Sequence, residues 1–216
     1  MFWRLGGIRR VVVWGAMTEA RGTRDRILEA AIAIIETQGE AGVLVDRVVE
    51  AAGFSKPVLY HHFADREDLL VAAQGERYRR SFDDALVALG VFEGAPSQDV
   101  FLDRVTIGLG DFTSSEGRRR RRMRAEILGA AVGRPRLQDV ITEANRQFVA
   151  SFGDFLMRAR KAGLISPRRD PRDIAAWWLS VVAGRYVIEA DADRLNDEEW
   201  TAIVASMIRY LLSGER

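Results

Sequence analysis

The sequence predicts an all-α protein of about nine helices, and three observations support that fold class. Apolar residues recur at intervals of three and four along most of the 216-residue chain. No stretch alternates apolar and polar residues for long enough to form a strand. Glycines, prolines and helix-capping residues divide the chain into segments of helical length. We therefore expect helices packed on helices, without a sheet.

The composition excludes several kinds of chemistry. The chain has no cysteine, which excludes disulfides, thiolate metal sites and cysteine nucleophiles. Its two histidines are the neighbours His61 and His62, and adjacent helical residues point about 100° apart, so we expect no metal site and no cofactor. No apolar run approaches the roughly 18–20 residues that cross a bilayer. We expect a cytoplasmic protein that does not contact a membrane.

The first twenty residues form an extension with two interpretations. Residues 1–16 contain three arginines and no acid, and Met17 then precedes a polar stretch. Translation could begin at Met17, in which case the preceding residues are not native. Alternatively, the extension is a basic arm that lies against DNA phosphates.

Four helices are predicted in the first third of the chain. The first runs over residues 23–38, with Thr23 as a candidate N-cap and Gly39 as its end. Two short helices follow, over residues 45–52 and 56–63, the second starting after Ser55. A long fourth helix is predicted over residues 66–89, after Asp65, which stands at N-cap spacing from a second aspartate.

Five further helices follow from similar start and stop signals. Asp170-Pro171 and Asn196 are strong helix starts, and Gly163 is a typical residue just after a helix end. The predicted ranges are 97–112, 116–131, 135–162, 171–190 and 196–212.

The two short helices have the spacing of a helix-turn-helix, because a three-residue turn with a glycine joins them. Gly53 allows a positive φ in the turn, and Ser55 is placed to cap the second helix. Val48 and Leu59 are expected to fill the space between the two helices. The second helix would then present its first residues to the major groove of DNA.

Residues 44–63 also resemble the helix-turn-helix of TetR-family transcriptional regulators. The combination Ala51-Ala52-Gly53 followed by Leu59-Tyr60-His61-His62-Phe63 is specific, and the resemblance extends over about fifty residues. It implies a DNA-binding domain over residues 21–81 and a helical ligand-binding and dimerisation domain over residues 82–216. The implied partners are a two-fold symmetric double-stranded DNA operator, a second copy of the chain, and an unknown small molecule.

The resemblance implies which residues contact DNA. Leu44 and the pair Pro57-Val58 replace residues that are usual in the family, which alters the expected operator sequence but not the expectation of DNA binding. Leu59 and Phe63 are expected in the core. The residues expected at the DNA are Arg24, Leu44, Arg47, Ser55, Lys56, Pro57, Val58, Tyr60, His61, His62 and Arg66.

The C-terminal part offers candidate ligand-binding residues that would serve equally well as core residues. They are Phe101, Phe112, Met123, Ile127, Phe148, Phe152 and Trp177. Five consecutive arginines at residues 118–122, followed by Arg124, form either a solvated helix face or an anion site. Because five residues circle a helix, at least one arginine should point inward, toward an anionic ligand or an acid of a neighbouring helix.

The last two helices are predicted to form a dimer interface, because their apolar residues are too widely spread for one buried stripe. The neighbours Trp177 and Trp178 point about 100° apart, so one should lie in the subunit core and the other at the partner. We assign the interface to Trp178, Val181, Ile203, Met207 and Tyr210.

These observations predict a ligand-responsive DNA-binding transcriptional regulator that is not an enzyme, with repression as its expected mode. Two alternatives are an all-α enzyme and a helical adaptor that does not bind DNA. The absence of cysteine, and of histidine outside residues 61–62, argues against the enzyme. DNA binding by the purified chain separates the regulator from the adaptor.

Overall fold

A computed structural model describes residues 22–83, 85–86, 94–109, 114–189 and 196–214. All regular secondary structure in these ranges is helical, which confirms the predicted fold class. The chain divides into two compact units, one ending at Ala73 and the next beginning at Gln74. The predicted extension, residues 1–20, lies outside the described residues, and the domain boundary predicted at residue 81 stays a prediction. No helix in the described ranges is both long and apolar enough to cross a membrane.

The first unit contains three helices and the beginning of a fourth. Gly22, and not Thr23, occupies the N-cap position of the first helix, so the predicted serine/threonine-type cap is absent there. Gly39 ends that helix with φ of 71°, as predicted. The helices are α1 (Thr23–Gln38), α2 (Val45–Ala52), α3 (Lys56–His62) and α4 (Arg66–Arg80), with a 3₁₀ turn at Glu40–Gly42 between α1 and α2.

The core of the first unit forms because each helix buries one apolar face. Ile27 and Ala31, one turn apart on α1, are both fully buried. Val48 of α2 and Leu59 of α3 are also fully buried in the same cluster, as predicted. Burying a side chain of this size contributes about 1.5–3 kcal/mol.

Helix α4 is shorter than the sequence predicted. It ends at Arg80, and Ser81 and Phe82 form a turn in which the Phe82 amide donates to the carbonyl of Arg79 at 3.1 Å. Residues 83, 85 and 86 are helical again, and residues 87–93 are not described. Arg124, which lies 43 positions further along the chain, donates hydrogen bonds to both the hydroxyl and the carbonyl of Ser81 at this break. The periodicity of a local segment cannot reveal so distant a contact.

The second unit also contains five further helices, and two of the N-caps predicted for them are observed. Asp170 accepts a hydrogen bond from the Arg172 amide at 2.7 Å, and Asn196 accepts one from the Glu199 amide at 2.7 Å. α7 packs against α8, α6 packs against α8, and α9 packs against α5. The helices are α5 (Gln98–Leu109), α6 (Ser115–Ala130), α7 (Pro135–Lys161), α8 (Pro171–Ile188) and α9 (Asp197–Ser213).

Candidate DNA interface and ligand-binding region

The turn between α2 and α3 has the geometry that the sequence predicted. Gly53 adopts the left-handed α conformation, with φ of 73° and ψ of 36°. A residue with a side chain would be strained in this conformation. The Phe54 amide donates to the carbonyl of Val49 at 2.9 Å and closes the end of α2. Ser55 stands at the N-cap position of α3, but its side chain makes no capping hydrogen bond, contrary to the prediction.

Arg26 of α1 supports this turn, and the sequence reasoning missed it. Its Nη2 donates to the carbonyl of Ala52 at 3.1 Å, and its guanidinium lies 4.6 Å from the ring centre of Phe54. The turn is therefore fixed from both sides, by a backbone carbonyl and by an aromatic face. The signal available in the sequence was an arginine one residue before the buried Ile27, which is too common a pattern to be specific.

Helix α3 has one buried face and one exposed face. Leu59 is fully buried and Phe63, just after the helix, is 1% exposed, which confirms both as core residues. Tyr60 is 50% exposed. Lys56, Pro57 and His61 are exposed too, whereas Val58 and His62 are half-buried. The exposed face of α3 therefore carries a cation, a phenol and an imidazole. We call its four exposed residues, Lys56, Pro57, Tyr60 and His61, the α3 surface.

Several of the predicted DNA residues make contacts within their own unit. Leu44 is exposed and stands at the N-cap position of α2. Nη1 of Arg47 donates to Oε1 of Gln38 at 2.6 Å. Nζ of Lys56 lies 2.6 Å from Oδ1 of Asp46, and the hydrogen bond with this carboxylate raises the pKa of Lys56. Both partners of the pair are exposed, so DNA phosphates could replace the carboxylate.

Arg24 and Arg66 also have partners in the first unit. The Arg24 guanidinium lies 5.0 Å from the ring centre of Phe63. Nε of Arg66 donates to the carbonyl of Val43 at 2.7 Å. Its Nη2 donates to the carbonyl of Glu40 at 2.6 Å. Arg66 therefore fixes the start of α4 to the segment between α1 and α2, a structural role that the sequence did not predict.

The rings of His61 and His62 have centroids 5.0 Å apart and meet edge to face. The described residues contain no group of three or more acidic or histidine side chains placed to hold a metal ion. The histidine pair therefore belongs to the surface of α3 and its final turn.

The candidate ligand-binding residues separate into three groups. Phe148 and Phe152 have ring centroids 6.0 Å apart, and Phe101 joins them through Phe155, whose ring centroid is 6.1 Å from that of Phe152 and 5.6 Å from that of Phe101. Phe82 extends this aromatic row at the other end, 4.7 Å from Phe148. Ile127 is buried on α6 and Met123 is half-buried. Trp177 lies on another surface, and Phe112 lies outside the described residues.

Trp177 lines an open groove on α8 and α9. The groove has a volume of about 510 Å³ and nearly all of its lining is apolar, including Ile174, Met207 and Tyr210. Trp178 is only 3% exposed, so it has almost no surface to offer a partner. The assignment of Trp178 to the interface therefore does not fit its burial, whereas Trp177 is the more exposed of the two. Helical periodicity separates the two faces without showing which one is covered.

The other predicted interface residues remain accessible. Ile203, Met207 and Tyr210 of α9 are exposed, and Val181 of α8 is half-buried. Large apolar side chains exposed at successive turns of one helix form a patch that a soluble protein usually covers.

The arginine run has both exposed and buried members. Arg119 pairs with Glu116 at 2.8 Å on the surface of α6. Arg121 is 4% exposed, and its Nε donates to Oε1 of Glu189 on the segment after α8 at 2.5 Å. This confirms the prediction that at least one arginine points inward, and its partner is an acid, one of the two alternatives that the sequence left open. Arg124 also points inward.

Comparisons with known proteins agree with this geometry. The sequence profile described as "Bacterial regulatory proteins, tetR family" matches residues 27–73, which include α2, the turn and α3. No curated protein sequence matches the chain.

Solved structures share the fold over most of the chain. A protein of Rhodococcus sp. described as a TetR-family transcriptional regulator is 26% identical, with 88% of this chain and 98% of that chain covered and a TM-score of 0.64. Salmonella enterica GusR is 24% identical, with 91% and 98% covered and a TM-score of 0.61. A transcriptional regulator of Saccharomonospora viridis, solved in complex with choline, is 17% identical, with 89% and 98% covered and a TM-score of 0.60.

Proposed function

Because this chain has the fold and the N-terminal domain of a TetR-family transcriptional regulator, we propose that it is a homodimeric repressor released from its operator by a small molecule. The observation that supports the proposal best is the division of α3 into a buried apolar face and the exposed α3 surface. A helix of seven residues, fixed on a rigid turn, presents polar side chains where a major groove can accept them.

Sequence recognition is assigned to Tyr60 and His61, since both are exposed and neither is needed to fill the core. Hydroxyl and imidazole groups can donate to and accept from base edges. Lys56 and Arg47 are assigned to the phosphate backbone, where their charges would replace counterions and make binding dependent on salt. Val58 offers methyl groups that suit a thymine methyl.

A dimer is required because one short recognition helix reads only half of a two-fold operator. Two heads must reach half-sites about 34–36 Å apart. The α8–α9 groove and the exposed residues of α9 supply an apolar surface in the second unit, and a second copy of the chain would cover it in a self-complementary way.

The ligand-binding region is assigned to the aromatic row Phe82, Phe148, Phe152, Phe155 and Phe101 in the second unit. The relative solved with choline shows that a protein of this fold can hold a small molecule. A ligand that binds one conformation better shifts the population toward it. Helix α4 begins in the first unit and continues into the second, which makes it the element through which such a shift would be transmitted.

Operator selection from random double-stranded DNA, followed by a gel shift, tests the DNA-binding role. We expect a two-fold symmetric selected sequence. Tyr60→Ala should weaken its binding by about 1–3 kcal/mol without changing the melting temperature. Thr37→Ala is the matched control, because Thr37 is exposed on α1 and its hydroxyl bonds only within that helix. Selection without any sequence preference, or equal binding by Tyr60→Ala, would contradict the assignment.

A reporter gene placed behind the selected operator tests repression. Expression should fall when the protein is produced and recover with Tyr60→Ala. An increase in expression on producing the wild-type chain would show an activator.

A further inference from the structure

Arg124 is a buried arginine in the second unit, only 9% exposed on α6. Its Nε donates to Oγ of Ser81 at 2.7 Å, and its Nη2 donates to the carbonyl of the same residue. The guanidinium also lies 4.5 Å from the ring centre of Phe82. Each of these contacts is with a neutral group.

No carboxylate in the described part of the chain lies within ion-pair distance of Arg124, whereas Arg121, one turn earlier on α6, has Glu189. Among titratable groups, Tyr78 interacts favourably with the charge of Arg124, whereas Arg120 and Arg121 add positive charge nearby. Burial, opposed by Tyr78 and assisted by these two arginines, lowers the pKa of Arg124 to about 10. A buried cation without a counterion destabilises the fold, so its presence at this position suggests a role other than stability.

On one side, this cation lies against an aromatic cluster that begins with Phe82. Phe82, which Arg124 covers, stacks on Phe148 at 4.7 Å. Tyr78 meets Phe82 edge to face at 5.4 Å, and its hydroxyl donates to Oδ1 of Asn145 at 3.0 Å. The molecule complementary to this arrangement combines an anionic group for the guanidinium fork with an apolar body for the aromatic row.

We propose that Arg124 is the anion-binding residue of the effector site, and that the effector is a carboxylate with an apolar body. This proposal deepens the proposed function and depends on its assignment of the ligand-binding region. The carboxylate would accept two hydrogen bonds from the guanidinium and would lie along the ring of Phe82. The carboxylate would supply the negative charge that the described residues around Arg124 do not provide.

The same donors hold the break in α4. Ser81 follows directly after the end of that helix, and its hydroxyl and carbonyl accept hydrogen bonds from Nε and Nη2 of Arg124. A carboxylate that takes these donors releases Ser81. The guanidinium of Arg124 can therefore bind either the ligand carboxylate or Ser81. The ligand then favours the conformation in which Ser81 is released over the one in which Ser81 is bound.

A panel of matched ligand pairs tests the inference on the full chain. The probes are benzoate, 3-phenylpropionate, octanoate and decanoate, each with its neutral primary amide. Binding is measured without DNA, by the shift in melting temperature and by calorimetric titration. We expect at least one carboxylate to bind, and its amide to bind at least about tenfold more weakly because a neutral group gains no charge-assisted pair.

Two variants connect binding to the residue. Arg124→Met should abolish carboxylate binding and should keep or raise the melting temperature measured without ligand, because it removes a buried charge that has no counterion among the described residues. Arg122→Met is the matched control, since Arg122 is exposed on the same helix, and it should bind as the wild type does. If Arg124→Met does not fold, Arg124→Lys carries the test: it keeps the charge, loses the fork, and should weaken binding roughly tenfold.

The inference is overturned if no carboxylate of the panel binds, if the amides bind equally well, or if Arg124→Met retains binding. It is also overturned if Arg124→Met folds but melts at a clearly lower temperature, which would indicate a structural role at the α4 break. Gel shifts on the selected operator keep the two proposals apart. Carboxylate binding that leaves operator affinity unchanged supports the anion site and contradicts release by this ligand. Release of the operator by a neutral molecule, and not by any carboxylate, supports the proposed function and contradicts the anion site.

Discussion

Lys56 and Asp46 form an ion pair across the helix-turn-helix, with Nζ of the lysine 2.6 Å from Oδ1 of the aspartate. The lysine begins α3 and the aspartate lies in the first turn of α2. A cation of the α3 surface is therefore paired with an acid of the neighbouring helix. If Lys56 contacts the phosphate backbone as proposed, DNA phosphates compete with this carboxylate for it.

Asp46→Asn should strengthen DNA binding. It leaves the Lys56 charge available to a phosphate and removes a carboxylate that repels the backbone. We expect tighter binding to specific and non-specific DNA alike, and a slope of log affinity against log salt that is steeper by about one unit. Gel shifts or fluorescence anisotropy at several salt concentrations measure both quantities.

Asp25→Asn is the control for net charge, because Asp25 is exposed on α1 and the substitution leaves the Lys56–Asp46 pair intact. An equal gain in the two variants would show that only the overall charge matters. A salt slope unchanged by Asp46→Asn would show that Lys56 does not reach a phosphate.

Arg66→Met should loosen the segment between α1 and α2. The substitution removes two charge-assisted hydrogen bonds, to the carbonyls of Val43 and Glu40, and we expect the unit to lose about 1–2 kcal/mol of stability. Amide exchange over residues 42–44 should accelerate. Arg47→Met removes a single bond to the exposed Gln38 and should leave these amides protected. Unchanged exchange in Arg66→Met would mean that its bonds do not hold the segment.

Ile203→Asp should disrupt the proposed dimer, since it places a charge on the exposed apolar face of α9 where a partner would bury it. Sedimentation velocity at micromolar concentration should show a monomer. Val132→Asp is the control, because Val132 is 78% exposed in the turn after α6 and lies on no predicted interface. A wild-type monomer would contradict the dimer, and a dimeric Ile203→Asp would contradict the placement of the interface.

The stability advantage of Arg124→Met should decrease at high pH. Burial lowers the pKa of Arg124 from the ordinary arginine range to about 10 in the folded chain, so below about pH 10 the folded state bears the full cost of a buried charge. As the pH rises above about 10, the folded wild type releases this proton while the unfolded chain keeps it, so the cost decreases progressively, whereas methionine is unaffected. Urea unfolding of both proteins, at about pH 8 and about pH 10.5, measures the difference. An advantage that grows with pH would contradict the assigned direction.

Local signals in the sequence predicted the helices and the DNA-binding unit well, because caps and periodicity act over a few residues. Gly53, Asp170 and Asn196 all perform their predicted roles within one turn of a helix end. Leu59 and Phe63 are buried for the same reason, since the spacing of apolar residues along a helix fixes which face they share. Local signals were less accurate at Thr23 and Ser55. The first helix has Gly22 and not Thr23 at its N-cap, and Ser55 stands at the N-cap position of α3 without a capping hydrogen bond from its side chain.

Only the tertiary structure decided the properties that depend on a distant partner. Helix α4 ends at Arg80, and Arg124 binds the next residue from another helix, a contact that periodicity along the chain cannot reveal. The same holds for the tryptophans: the sequence separated Trp177 from Trp178 by about 100°, but packing chose which one to bury. Among the consecutive arginines, too, the charges were evident from the sequence. The tertiary packing around α6 decided which guanidinium lies beside an acid and which contacts only neutral groups among the described residues. Electrostatic pairing depends on distance in space and not along the chain.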